Sequence, residues 1–190
     1  ITTAFPATKG GRQWRPRVIR YADDLVVLHW DYDAVVQAQD IASRWLQEMG
    51  LALKPSKTRI GHTLHPVEGT TGFDFLSFNI RQYPVGQTKT GKTRQGKPLG
   101  FKTHIKPSSD GQHRHVRRMH EEVRRLRGSS QDVLIKRLNP IIRGWSTYYA
   151  TVVSKKTFGR MDMVLYANLR RWARRRHPNK SAGGVSEKYW

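Results

Sequence analysis

Two adjacent acids set between apolar, β-favouring residues, Arg20-Tyr21-Ala22-Asp23-Asp24-Leu25-Val26-Val27-Leu28, constrain this chain more than any other stretch. Strand-forming residues on both sides demand a tight reversal between them. The pattern therefore predicts a hairpin from about Arg17 to Trp30, with Asp23 and Asp24 carried in its turn. Aspartate is a common turn residue for local hydrogen-bonding reasons alone, so an ordinary solvated turn is one reading of these four letters. The other reading is chemical. Paired carboxylates at a hairpin tip offer hard oxygen ligands to Mg²⁺, an ion usually shared between one or two protein carboxylates and substrate phosphates.

Charge narrows the choice of partner. Against 14 Asp and Glu stand 35 Lys and Arg, a net charge of +21 over 190 residues. So lopsided a balance implies a polyanion, nucleic acid first. A membrane surface is the competing polyanion, yet no run approaches the roughly eighteen apolar residues of a spanning helix, and no signal peptide is expected. Nothing in the sequence points to secretion. Cysteine is absent, which removes disulfides, thiolate nucleophiles and Cys-built zinc sites. The chain opens on Ile1 and is expected to be a piece of a longer protein. Residues 1–107 carry 16 basic and 8 acidic side chains, residues 108–190 carry 19 and 6. The acids suited to chemistry lie in the first region, and the second is expected mainly to grip a phosphate backbone.

Residues 1–16, with Gly10-Gly11 and two prolines, read as a loop. After the hairpin, Asp31-Tyr32-Asp33 offers a helix start. Val35, Ala38, Ile41, Ala42, Trp45, Leu46 and Met49 then recur at helical spacing up to Gly50. Leu51 to Lys54 alternates like a short strand, and Lys57 to Ile60 suggests a second one. Lys57 is either a surface lysine or a contact for an incoming triphosphate. From Gly72 to Ile80 a period of two returns, with Phe73, Phe75 and Ser77 on one face and Leu76, Phe78 and Ile80 about the other. That segment is either core or a hairpin packed beneath a substrate strand.

Residues 85–106 are rich in Gly, Lys and Thr, and Gly86 to Thr93 fits the Walker A pattern letter for letter. A phosphate loop must open a helix, whose N-terminus supplies much of the anion binding. Gly96 and Pro98 would break such a helix in its first turns. A basic hairpin near nucleic acid is the better reading.

Ser108-Ser109-Asp110 predicts a helix start. Val116, Met119, Val123 and Leu126 mark its apolar face, with Arg117, Arg118 and Arg124 among the cations on the others. A second helix is expected from Gln131, with Asn139-Pro140 read as an N-cap and first-turn proline; beyond them lie Ile141, Ile142, Arg143, Trp145, Tyr148 and Tyr149. A third, with Phe158, Met161, Leu165, Leu169 and Trp172 at helical spacing, ends near His177-Pro178 and carries Arg170, Arg171, Arg174, Arg175 and Arg176 outward. Scarce acids favour backbone binding by these faces over mere solvation. The eight histidines form no metal-ligand spacing.

In this order the parts resemble the reverse transcriptase/maturase proteins encoded by group II introns. The resemblance runs through Tyr21 to Asp24, the helix from Ala34 to Met49, Gly50 to Thr58, and Gly72 to Phe78, where Ser77 stands in place of the usual glycine. It continues in Leu138-Asn139-Pro140-Ile141-Ile142-Arg143-Gly144-Trp145, Tyr148-Tyr149, Val153 to Phe158, and Arg175 to Lys180. It implies an α+β fold, a partial polymerase palm of antiparallel hairpins plus a helix (1–83), a basic hairpin or linker (84–107), a three-helix thumb or maturase bundle (108–180) and a tail (181–190).

The resemblance also implies roles. Asp23 and Asp24 would be catalytic, metal-binding acids for Mg²⁺. Tyr21, Ala22, Lys57, Phe75 and Ser77 would lie near primer or nucleotide. Arg117, Arg118, Arg124, Arg143, Lys155, Lys156, Arg171, Arg174 and Arg175 would hold intron RNA and RNA/DNA duplex. The family's further catalytic aspartate has no counterpart, since residues 1–20 contain no acid. The chain is therefore expected to bind RNA without polymerising alone, with a fingers and palm segment as a partner. The alternative is a non-catalytic RNA-binding module that assists splicing and keeps a remnant palm.

Overall fold

The computed structural model describes residues 1–190, apart from the side chain of Gln87. The fold is α+β and divides into two compact units, Ile1–Thr71 and Gly72–Trp190.

In the first unit the expected leading loop contains a small hairpin, β1 (Thr8–Lys9) with β2 (Arg12–Gln13). Gly10 and Gly11 turn it at φ 58° and 74°, a region open to glycine without steric cost. The predicted second hairpin is β3 (Arg17–Tyr21) with β4 (Asp24–Leu28). Helix α1 (Tyr32–Glu48) starts where Asp31 accepts a hydrogen bond from the Ala34 N–H at 3.0 Å, satisfying one of the free donors of the first turn. Its buried seam is Ala34, Ala38 and Ala42, and these small side chains let the helix lie close to β4. Trp45 and Met49, expected on the same stripe, are 55% and 48% exposed. Phe5, Ala34 and Ala38 form the core of the unit with Ile1, Trp14, Val27 and Ile41 packed around them.

The two short strands expected between Leu51 and Ile60 do not form. A 3₁₀ turn occupies Pro55–Lys57. The Lys54 carbonyl accepts from both Lys57 and Thr58, so the backbone curls on itself where a ladder would have needed outward-facing groups, and Pro55 has no N–H to give to one.

The second unit joins a sheet to helices. Strands β5 (Phe73–Phe75), β6 (Phe78–Pro84) and β7 (Phe101–Pro107) pair antiparallel in that order. The alternation expected over residues 72–80 is interrupted, because Leu76 and Ser77 form the turn itself at φ 49° and 66°. Strand β7 goes beyond the sequence expectation, although Phe101, Thr103 and Ile105 alternate with Lys102, His104 and Lys106 as a strand requires.

Four helices follow: α2 (Ser109–Arg125), α3 (Gln131–Tyr148), α4 (Lys155–Arg176) and α5 (Ala182–Tyr189). Ser108 caps α2 by accepting from the Gly111 N–H at 3.1 Å. Two expectations are corrected here. Helix α3 runs unbroken through Asn139-Pro140, with Pro140 on its exposed side. An interior proline costs about 3 kcal/mol, which the buried Leu134, Leu138 and Tyr149 on both sides of it offset. The expected tail folds as α5, where Ser181 accepts from the Gly184 N–H, Val185 is buried, and Tyr189 meets the edge of Trp172. The core gathers Val123, Leu134, Leu138, Trp172, Ala173 and Val185.

Candidate acidic turn and nucleic-acid interface

The register of the β3/β4 hairpin sets the acidic turn. Tyr21 pairs with Asp24, so the two loop positions are Ala22 and Asp23, the turn sits one place earlier than expected, and Asp24 belongs to the ladder. Of these residues Ala22 alone takes positive φ, at 51°. That is the first-position requirement of a II′-like turn, and a Cβ there is strained by about 1 kcal/mol. The Arg20 Nε donates to the Ala22 carbonyl at 2.9 Å and braces the turn.

Tyr21 and Asp24, directly opposite, share a face. Asp23 and Asp24 are exposed, and among the described residues neither carboxylate takes part in a hydrogen bond or an ion pair. Lys57 closes its 3₁₀ turn in the same unit, exposed and without an ion pair to either acid. Two uncommitted carboxylates fit the oxygen preference of Mg²⁺. No group of three or more His, Asp or Glu side chains among the described residues is arranged to hold a metal ion.

Phe75 and Ser77 belong to the second unit. Phe75 pairs with Phe78, whose ring stacks on Tyr148 at 4.9 Å and meets Tyr149 edge-on at 5.1 Å. The polar atoms of Ser77 are engaged by the helical side: its hydroxyl accepts from Arg114 Nη2 at 2.7 Å and its carbonyl accepts from the Ser108 N–H at 2.8 Å. Tyr148 donates to the Leu76 carbonyl at 2.9 Å. Tyr149 is buried, and that burial, with Tyr148 beside it, pushes its hydroxyl pKa up. It remains a donor at neutral pH.

The helices separate two kinds of cation. Arg114 pairs with Asp110, Arg125 and Arg137 with Glu122, and Lys136 with Asp132. The hydrogen bond from Arg137 holds the Glu122 carboxyl below the usual range. Arg117, Arg118 and Arg124 on α2, Arg143 on α3, and Lys155, Lys156, Arg171, Arg174 and Arg175 on α4 are exposed and take part in none of these pairs. Arg171 makes one long contact, 3.4 Å to Asn168 Oδ1. Lys155 and Lys156 stand in the first turn of α4, where the helix dipole adds to their positive potential.

Arg176, expected on the outer face, is a correction. Its guanidinium lies over Trp172 at 5.1 Å and donates to the Ser129 carbonyl, so it ties α4 to the α2/α3 turn.

The Walker A pattern is no phosphate loop. A 3₁₀ turn at Gln87–Lys89 is followed by extended chain in which Lys92 bridges to Pro98, and no helix opens after Gly91. His115, by composition one more surface histidine, is buried and stacks on Trp145 at 4.4 Å. Its signal is position alone, four residues before Met119 on the buried seam of α2.

Two family models match the chain. One, described as reverse transcriptase (RNA-dependent DNA polymerase), covers residues 7–102; the other, described as group II intron, maturase-specific domain, covers residues 112–190. No curated protein matches the chain. No helix among the described residues is long and apolar enough to cross a membrane.

Proposed function

Because the chain belongs to the group II intron reverse transcriptase/maturase family, we propose that residues 1–190 bind intron RNA and RNA/DNA duplex, and that they do not polymerise without a further carboxylate from outside these residues. The observation that carries the binding half is the division of cations in the maturase-specific region. Acids neutralise Arg114, Arg125, Lys136 and Arg137, while Arg117, Arg118, Arg124, Arg143, Lys155, Lys156, Arg171, Arg174 and Arg175 stand exposed without acidic partners. Exposed, unneutralised guanidinium groups exchange bound counterions for phosphates, and the released ions drive association.

For the chemistry, Asp23 and Asp24 would hold Mg²⁺. When bound, the ion supplies acidification of a primer hydroxyl and stabilisation of a leaving pyrophosphate. The chain's own residues have simpler tasks. The braced turn keeps both carboxylates in water, free of competing cations. Tyr21, on the face of Asp24, and Ala22 would lie beside the primer end or the nucleotide. Lys57 would neutralise triphosphate charge, and Phe75 with Ser77 would support the primer strand. The proposed location is the bacterial cytoplasm or an organelle.

The test joins two measurements on the 190-residue chain: RNA affinity by fluorescence anisotropy, and primer extension with Mg²⁺ and deoxynucleotides. Tight, salt-sensitive binding without extension is expected. Robust synthesis by this chain alone would overturn the need for another acid, and failure to bind RNA would overturn the binding half.

A further inference from the structure

We propose that the polar face of the β5-β6-β7 sheet, with the basic connection between β6 and β7, is a second surface for the RNA backbone, apart from the arginine faces of the helices. This rests on the reading that the chain binds RNA. Pairing places Arg81 opposite His104, Tyr83 opposite Lys102 and Asn79 opposite Lys106. Side chains alternate across a sheet, so these residues share one face while Phe78, Ile80, Ile105 and Pro107 share the other. Tyr148 and Tyr149 pack against Phe78 on that apolar side.

Tyr83 organises the polar face. Arg81 and Lys106 lie over its ring at 4.9 and 4.5 Å, Lys106 Nζ donates to its hydroxyl at 3.2 Å, and the His104 ring is 5.1 Å away. Cation–π contacts fix where a cation sits without cancelling its charge. The nearby acid on this face, Asp74, accepts from Asn79 Nδ2 at 2.7 Å. Arg81 Nε and His104 Nδ1 are buried with no hydrogen-bond partner.

From Arg81 to Lys106, both included, the sequence holds seven Lys and Arg and no Asp or Glu. None of the seven enters an ion pair among the described residues. So many like charges on one hairpin repel each other unless a polyanion neutralises them. Between Gly86 and Gly100 the one large apolar side chain is Leu99, too little to anchor the loop in a lipid interface. A nucleic-acid backbone needs no such anchor.

The experiment measures binding of fluorescein-labelled oligouridine by the 190-residue chain across a KCl series, with phosphatidylserine vesicles as a parallel probe. Arg81→Gln/Lys102→Gln/Lys106→Gln is expected to weaken binding about tenfold at low salt and to reduce the salt slope by about 2, near 0.7 for each phosphate no longer neutralised. Lys92→Gln/Arg94→Gln/Lys97→Gln lies wholly in the connection, changes only exposed side chains that enter no ion pair among the described residues, and is expected to act alike. Hairpin variants with wild-type slopes, beside a flattened slope in Arg171→Gln/Arg174→Gln/Arg175→Gln, would overturn this surface and leave RNA binding by the helices standing. Loss of vesicle binding with RNA binding intact would overturn RNA as the occupant. No RNA binding by the unaltered chain would overturn the underlying reading.

Discussion

Tyr149, at the end of α3, donates its hydroxyl to the carbonyl of Ser77 at 3.1 Å. The bond ties the maturase-region helices to the β5/β6 turn. Ser77 holds φ 66°, a conformation costing a side-chain-bearing residue about 1 kcal/mol relative to glycine. The family's usual glycine is therefore dispensable here: the contacts from Tyr149, Ser108 and Arg114 keep the bend. Tyr149→Phe should lower stability by about 1 kcal/mol. Ser77→Gly should stay within about 0.5 kcal/mol of the original, with strain relief offsetting the Arg114 bond. Ser77→Val, β-branched at positive φ, should cost about 2 kcal/mol or more. Urea denaturation measures all three.

Gly111 and Gly144 should respond oppositely to alanine. A Cβ at Gly111 would lie 2.9 Å from Tyr149 Oη and 3.2 Å from both Ser108 Oγ and Ser77 Cβ. The tyrosine hydroxyl can move only by giving up its bond to Ser77, so Gly111→Ala should destabilise by about 1–3 kcal/mol. At Gly144, inside α3, nothing lies within 4 Å of the added carbon, and Gly144→Ala should stabilise by about 0.5–1 kcal/mol through helix propensity. Thermal melts of the two variants should move in opposite directions.

What the sequence disclosed was mostly local chemistry. Asp31 and Ser108 cap α1 and α2 as their residue types require, and Gly50, at φ 71° just past α1, ends that helix. What it withheld depended on pairing and packing. The alternation from Leu51 to Lys54 found no partner strand, whereas the alternation in Phe101–Pro107 was captured by β6. Pro140 looked like a helix start because the apolar residues on both sides that carry α3 through it become decisive only once they are buried. The acidic turn was legible as a turn, but its register by one residue rested on Ala22 accepting a left-handed backbone, which residue type alone does not favour.

Stability should fall in mild acid through His115. Burial against Trp145, with Arg118 adding repulsion, lowers its pKa from 6.5 to about 4. The unfolded chain therefore binds a proton that the folded chain refuses. The contribution is complete above pH 6.5 and is lost as pH falls toward 4, on the order of 2 kcal/mol. His115→Phe keeps a ring on Trp145 and removes the proton. The difference in unfolding free energy between this variant and the original should widen from pH 7 to pH 4.5; a constant difference would show that His115 does not carry the effect.

Neighbouring arginines should separate binding from folding. Arg175 is exposed and takes no part in the ion pairs, while Arg176 lies over Trp172 and bonds the Ser129 carbonyl. Arg175→Gln should leave the melting temperature unchanged and reduce the salt slope of RNA binding by somewhat under 1. Arg176→Gln should destabilise by about 1–2 kcal/mol and leave the slope alone in the folded protein. Combining Arg171→Gln, Arg174→Gln and Arg175→Gln should flatten the slope by about 2–3.

Asp23 and Asp24 separate a working palm from a remnant. Both are exposed and uncommitted, so Asp23→Asn/Asp24→Asn should leave the fold intact. Removing two negative charges from a basic protein should leave RNA affinity unchanged or slightly raised, whichever reading holds. Divalent-cation chemistry tells the readings apart. If these carboxylates serve a polymerase, adding a segment that supplies the further palm carboxylate should give Mg²⁺-dependent primer extension with the original chain and none with the double variant. If they are a remnant, extension stays absent from both while splicing assistance persists in both. Equal extension by the original and the double variant would remove Asp23 and Asp24 from the chemistry and leave the turn with a structural role.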